Sequence, residues 1–107
     1  MYDYRLILEG LKLMKKLMPF HLAIPVDCLI KARQFYGKLL GCEEGRSSDT
    51  WLDYNFYGHQ LVCHRTEKRH SDIEDNPVDG KNVPVPHFGV VLEMQDWQDL
   101  RDKLVKY

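Results

Sequence analysis

DCLIKARQFYGKLLG, residues 27–41, is the stretch on which the reading of this chain turns. Leu29, Ala32, Phe35, Tyr36, Leu39 and Leu40 recur at helical spacing. Asp27 stands where an N-cap belongs, and Gly41 stands where a helix stops. Just before it, FHLAIPV (20–26) alternates, with Phe20, Leu22 and Ile24 on one face and His21, Ala23 and Pro25 on the other. The same order restarts near the end of the chain. In HFGVVLE (87–93), Phe88, Val90 and Leu92 alternate with His87, Gly89 and Val91. Asp96 is then placed to cap a helix carrying Trp97, Leu100, Arg101 and Leu104. Both copies open on a proline and a histidine. The chain therefore carries an internal repeat of strand and helix.

Between the copies lie more strand signals. A short extended piece is expected at 42–47. WLDYNFY (51–57) alternates in polarity, Gly58 marks a tight turn, and HQLVCHR (59–65) is a further strand. In that last strand Leu61 and Cys63 share one face, while Gln60, Val62 and His64 share the other. Residues 19–65 thus read as a complete βαβββ module. Residues 66–86 are polar, charged and Pro-containing, and read as a charged loop. Residues 87–107 read as a second module that stops after its strand and helix (βα). Residues 1–18 carry Ile7, Leu11, Met14 and Met18 at helical spacing with Lys12, Lys15 and Lys16, and read as a basic amphipathic helix. That helix suits packing on the domain or on a partner chain better than a membrane surface. Its lysines follow the apolar residues and no small-residue cleavage site succeeds them, unlike a secretory signal. The fold class is α+β.

Composition narrows the function. The 107 residues suffice for one domain with one core. A net charge of -1 offers no phosphate-driven grip on nucleic acid. No apolar run approaches the length of a membrane span. The three cysteines (Cys28, Cys42 and Cys63) are an odd number without close spacing, which fits a reducing, cytoplasmic setting rather than a disulfide framework. Cys28, near a helix start, has no identifiable partner base.

The opening histidine, the helix with its Phe35–Tyr36 pair and Leu40–Gly41 end, and the restart at PHFGVVL resemble the vicinal oxygen chelate superfamily. This is the group of glyoxalase I, bleomycin-resistance proteins and extradiol dioxygenases. YGHQLVCH and VPVPHFGVVL resemble its dioxygenase-like members. The resemblance covers roughly residues 19–107, with the second module truncated. It implies two βαβββ modules around one cavity, in many members with a divalent metal (Fe, Mn, Ni or Zn) bound by residues of the first and fourth strands. Carried over, the first-strand ligands are His21 and His87. A glutamate is common at the fourth-strand position, where this chain has Val62; His64, on the same face, is the chemically suitable substitute.

Gln60, Tyr54 and Phe56 are the candidate contacts for a small-molecule ligand; Trp51 and Tyr57 belong to the same aromatic group, which core packing alone would also explain. No catalytic residue is singled out. The resemblance implies descent from a metal-dependent lyase or dioxygenase acting on a small oxygen-bearing substrate, inactive or not as this short chain. The alternative is a metal-free, resistance-type binding protein. An unpaired strand at 87–92 would favour a homo-oligomer, completing the sheet from a second chain.

Overall fold

The computed structural model describes residues 17–67 and 75–107. A four-stranded sheet is built from β1 (His21–Val26), β2 (Glu43–Ser47), β3 (Trp51–Phe56) and β4 (His59–Arg65), in the order β1-β4-β3-β2. β1 runs parallel to β4; the other two pairings are antiparallel. A helix crosses from β1 to β2. It begins as α1 (Leu29–Ala32) and continues into a π-wound stretch (Arg33–Leu39). This is the expected βαβββ order.

Two-residue alternation assigns each face. Leu52 and Tyr54 of β3, with Leu61 and Cys63 of β4, are the largest fully buried side chains. They meet Leu29 and Ala32 of the helix, and Leu22, Ile24 and Val26 of β1 pack against the same cluster. Burying side chains of this size contributes about 1.5–3 kcal/mol each, so this one layer between helix and sheet holds the module together. Phe20, expected on the same face, remains 63% exposed because it precedes the strand.

Proline inside β1 fits the topology. The carbonyls of Phe20 and Val26 accept from the N–H groups of Gln60 and Thr66, so the even-numbered residues of β1 bond towards β4. The backbone groups of the odd-numbered residues face the free edge. Pro25 therefore lacks its N–H on the side where β4 does not need one.

The helix ends as expected and starts differently. Leu40 is its C-cap and Gly41 follows at φ 71°, a conformation that a side chain would disfavour. Cys42 N–H then returns to the Tyr36 carbonyl at 2.9 Å. Asp27 is not the N-cap. The chain stays extended through Cys28 (φ -148°, ψ 120°), which takes that position without a side-chain cap. The helix passes close over Tyr54: a Cβ on Gly37 would lie 3.3 Å from the Tyr54 hydroxyl.

The β3–β4 turn is Tyr57–Gly58, both with positive φ (51° and 87°), the tight hairpin turn foreseen at Gly58. A second such turn lies where only a charged loop was expected. Asp79 and Gly80 have φ 51° and 78° and join β5 (Asp75–Val78) to β6 (Lys81–Pro84) as a separate two-stranded sheet. The Asp-Gly pair is itself a hairpin signal; the polar residues around it hid the strands, since a hairpin exposed on both faces shows no apolar alternation.

Residues 87–92 form no strand, contrary to the repeat-based expectation. Alternating sequence is not enough where, as among the described residues, no neighbouring strand supplies ladder hydrogen bonds. The helix that follows, α2 (Met94–Val105), is present, but Glu93 is its N-cap and Asp96 sits in its first turn. There the carboxylate complements the helix dipole instead of capping a backbone N–H. The helix expected over 1–18 falls outside the described residues apart from 17 and 18, which are not helical.

Tyr54 generates a prediction. Its hydroxyl is buried and, among the described residues, has no hydrogen-bond partner. An unsatisfied buried group costs about 1–3 kcal/mol. Tyr54→Phe should match or exceed the wild-type chain in urea denaturation at pH 7. Burial, foremost, also pushes the Tyr54 phenol from 10.0 up to about 12. The unfolded chain therefore loses this proton first as pH rises, and wild-type stability declines above pH 10. The advantage of Tyr54→Phe should widen between pH 10 and 12; a constant or shrinking difference would contradict the assignment.

Candidate functional site

The face of the sheet away from the helix carries the polar residues. In register across β1, β4 and β3 lie three rows: His21–Gln60–Asn55, Ala23–Val62–Asp53 and Pro25–His64–Trp51. Val62 and Asp53 in the middle row are buried, and most of the surrounding residues are exposed. Asp53 is 9% exposed. A carboxylate so placed is costly unless a donor meets it.

The donor is Gln60. Its Nε2 donates to Asp53 Oδ2 at 3.3 Å, and its Oε1 is 2.8 Å from His21 Nδ1. A continuous polar strip, His21–Gln60–Asp53, therefore crosses three strands. Gly45 of β2 makes room for it, since a Cβ there would meet Asp53 Cβ at 3.3 Å. His59 is used otherwise: its Nδ1 accepts from Phe20 N–H at 2.7 Å, tying the entry of β1 to the start of β4.

These positions rearrange the expected site. The β4 residue paired with His21 is Gln60, not Val62, because the parallel register sets His21 against Gln60 and Val62 against Ala23. His64 shares their face but lies four residues further along β4 than Gln60, about 13 Å at strand rise. His87 is turned elsewhere, with Nδ1 donating to the carbonyls of Pro84 and Val85 at 2.8 and 3.1 Å. Tyr54 and Phe56 lie on the opposite face from Gln60: Tyr54 is in the core, and both rings stack around Tyr36 at centroid distances of 5.7 and 6.4 Å. They support the helix and do not border the polar strip. Asp53 escaped the sequence reading, although its signal was present: in WLDYNF it falls in phase with Trp51 and Asn55.

Two of the three cysteines are held away from the thiolate form. Burial pushes the Cys63 thiol from 9.0 up to about 11 and raises that of Cys42. A thiol held neutral is a poor nucleophile.

The fold has a clear counterpart. A glyoxalase/bleomycin resistance protein/dioxygenase from Alicyclobacillus acidocaldarius superposes with a TM-score of 0.68 and 28% sequence identity, over 87% of this chain and 66% of that one. The fold is that of a glyoxalase/bleomycin-resistance/dioxygenase protein, consistent with the vicinal oxygen chelate superfamily. It spans about two thirds of the length of that relative. No family model and no curated protein matches the sequence. Among the described residues, no helix is long and apolar enough to cross a membrane.

Members of this superfamily commonly bind divalent metals. The described residues of one chain do not assemble such a site. No three His, Cys, Asp or Glu side chains among the described residues converge on a point. Of the proposed set, His21 keeps Nε2 free of Gln60, but His64 lies about 13 Å away along the strand direction and His87 Nδ1 is turned to backbone carbonyls. Titration with diamagnetic Zn²⁺, followed by imidazole ¹⁵N shifts, checks this directly. His21 and His64 should shift independently and only at excess metal. Joint shifts of both, saturating at one equivalent, would place both in a single site.

Proposed function

We propose that this chain binds a small oxygen-bearing molecule on the exposed face of its sheet, as a metal-free binding member of the superfamily. The observation that carries the proposal is the His21–Gln60–Asp53 strip. It concentrates a histidine, an amide and a mostly buried carboxylate on one face, beside the half-buried Trp51 and the exposed His64. Sites of this kind combine an apolar floor with a few fixed polar groups. Val62 and Trp51 supply the first, and the strip supplies the second.

Descent from a metal-dependent lyase or dioxygenase belongs to the same proposal. It is favoured by His21, which holds the first-strand place where metal-dependent members carry a ligand. In this reading Gln60 occupies the neighbouring place as an uncharged amide, and the pair recognises a ligand rather than gripping an ion. Homo-oligomerisation is also proposed. Among the described residues, the main sheet offers the outer edges of β1 and β2 for it, and residues 87–92 form no strand.

Trp51 makes the proposal measurable. In a Trp97→Phe background, Trp51 is the remaining tryptophan, and its emission reports on the exposed face. A screen of diols and α-oxo acids by this signal should find a ligand without added metal. His21→Ala and Asp53→Ala should each weaken it about tenfold, the loss of one good polar contact. Affinity unchanged in both variants, or binding that appears only when a divalent metal is supplied, would overturn the metal-free reading.

A further inference from the structure

The strip has a direction, and that direction determines what His21 can offer. Asp53, as a carboxylate, only accepts hydrogen bonds. The group of Gln60 that meets it at 3.3 Å must therefore be the amide NH₂. This orients the whole side chain and leaves Oε1 at the other end, 2.8 Å from His21 Nδ1. A carbonyl oxygen cannot donate, so His21 Nδ1 must carry the proton. In the neutral ring, Nε2 then bears the lone pair. His21 is exposed, and its Nε2 has no partner among the described residues.

We infer that Asp53 and Gln60 act through His21 as positioning residues, holding it in the Nδ1–H tautomer so that Nε2 faces the ligand as a hydrogen-bond acceptor. The inference deepens the proposed binding function and rests on that reading only for the identity of the site. It specifies the ligand class further: the group that meets His21 is an O–H or N–H donor, not a carbonyl or an ether oxygen. It also gives the mostly buried Asp53 a role. Without the carboxylate, Gln60 could rotate its amide, present NH₂ to the ring and reverse the tautomer. His59 is the internal contrast. Its Nδ1 accepts from the Phe20 N–H at 2.7 Å, so its neutral ring carries the proton on Nε2.

Long-range ¹H–¹⁵N spectra of the ¹⁵N-labelled chain, at a pH where imidazoles are neutral, read each tautomer directly; His21→Ala assigns the resonance. In the wild-type chain His21 should show a protonated Nδ1 and a bare Nε2, with His59 showing the reverse. Gln60→Ala should return His21 to a mixture dominated by the Nε2–H form that free histidine side chains prefer. Gln60→Glu keeps an acceptor opposite Nδ1 and should retain the wild-type tautomer. Asp53→Ala should give an intermediate loss. A wild-type His21 found as Nε2–H, or a tautomer unmoved by Gln60→Ala in a chain that remains folded, overturns the inference. Should Gln60→Ala not fold, the wild-type spectrum and Asp53→Ala still decide it. The outcome is independent of the Trp51 titration, so a correct tautomer without any ligand would count against the proposed function alone.

Discussion

Everything in this module depends on the register of β4. It is hydrogen-bonded on both sides, parallel to β1 and antiparallel to β3. It also sends side chains to both faces: Leu61 and Cys63 to the helix, and Gln60, Val62 and His64 to the other side. A slip of one residue would exchange these sets. Gln60 and His64 would enter the core without partners, and Leu61 and Cys63 would face solvent. The hydrophobic layer under the helix and the polar strip are thus two consequences of one alignment, and neither can shift without the other.

That coupling explains how a charged group is tolerated in β3. Asp53 sits between the fully buried Leu52 and Tyr54 in sequence but points to the opposite face. There Gly45 leaves space on one side and Gln60 supplies a hydrogen bond on the other. The core gains from the apolar neighbours, while the carboxylate keeps a donor in a partly screened setting. A polar network of this kind contributes little net stability. Its consequence is specificity of geometry: it orients an amide, and the amide orients an imidazole.

The two halves of the repeat show how far a local pattern carries. In the first, alternation at 20–26 becomes a strand because β4 returns alongside it. In the second, alternation at 87–92 has no strand neighbour among the described residues and stays irregular, although Phe88 still reaches the Phe56 ring at a centroid distance of 5.9 Å. The helices fare better in both copies, since their hydrogen bonds are internal to the segment. Conversely, β5 and β6 form where apolar alternation is absent, because Asp79 and Gly80 reverse the chain and bring two short segments into pairing.

The amino-acid sequence by itself determined the βαβββ order, the helix between Asp27 and Gly41, the reversal at Gly58, the two faces of each strand and the resemblance to the fold of its structural counterpart. These follow from periodicity, turn chemistry and a distinctive helix, all of which act over a few residues. The site was only partly legible. His21, Gln60 and His64 share one face, as the alternation indicated, while His87, Tyr54 and Phe56 lie elsewhere. Which residue stands opposite which is set by strand register and sheet order, and these are long-range quantities. The parallel alignment of β1 with β4 brought Gln60 to His21, carried His64 about 13 Å away and added Asp53 from a third strand. The tertiary structure made that choice because only one register buries Leu52, Tyr54, Leu61 and Cys63 together beneath the helix.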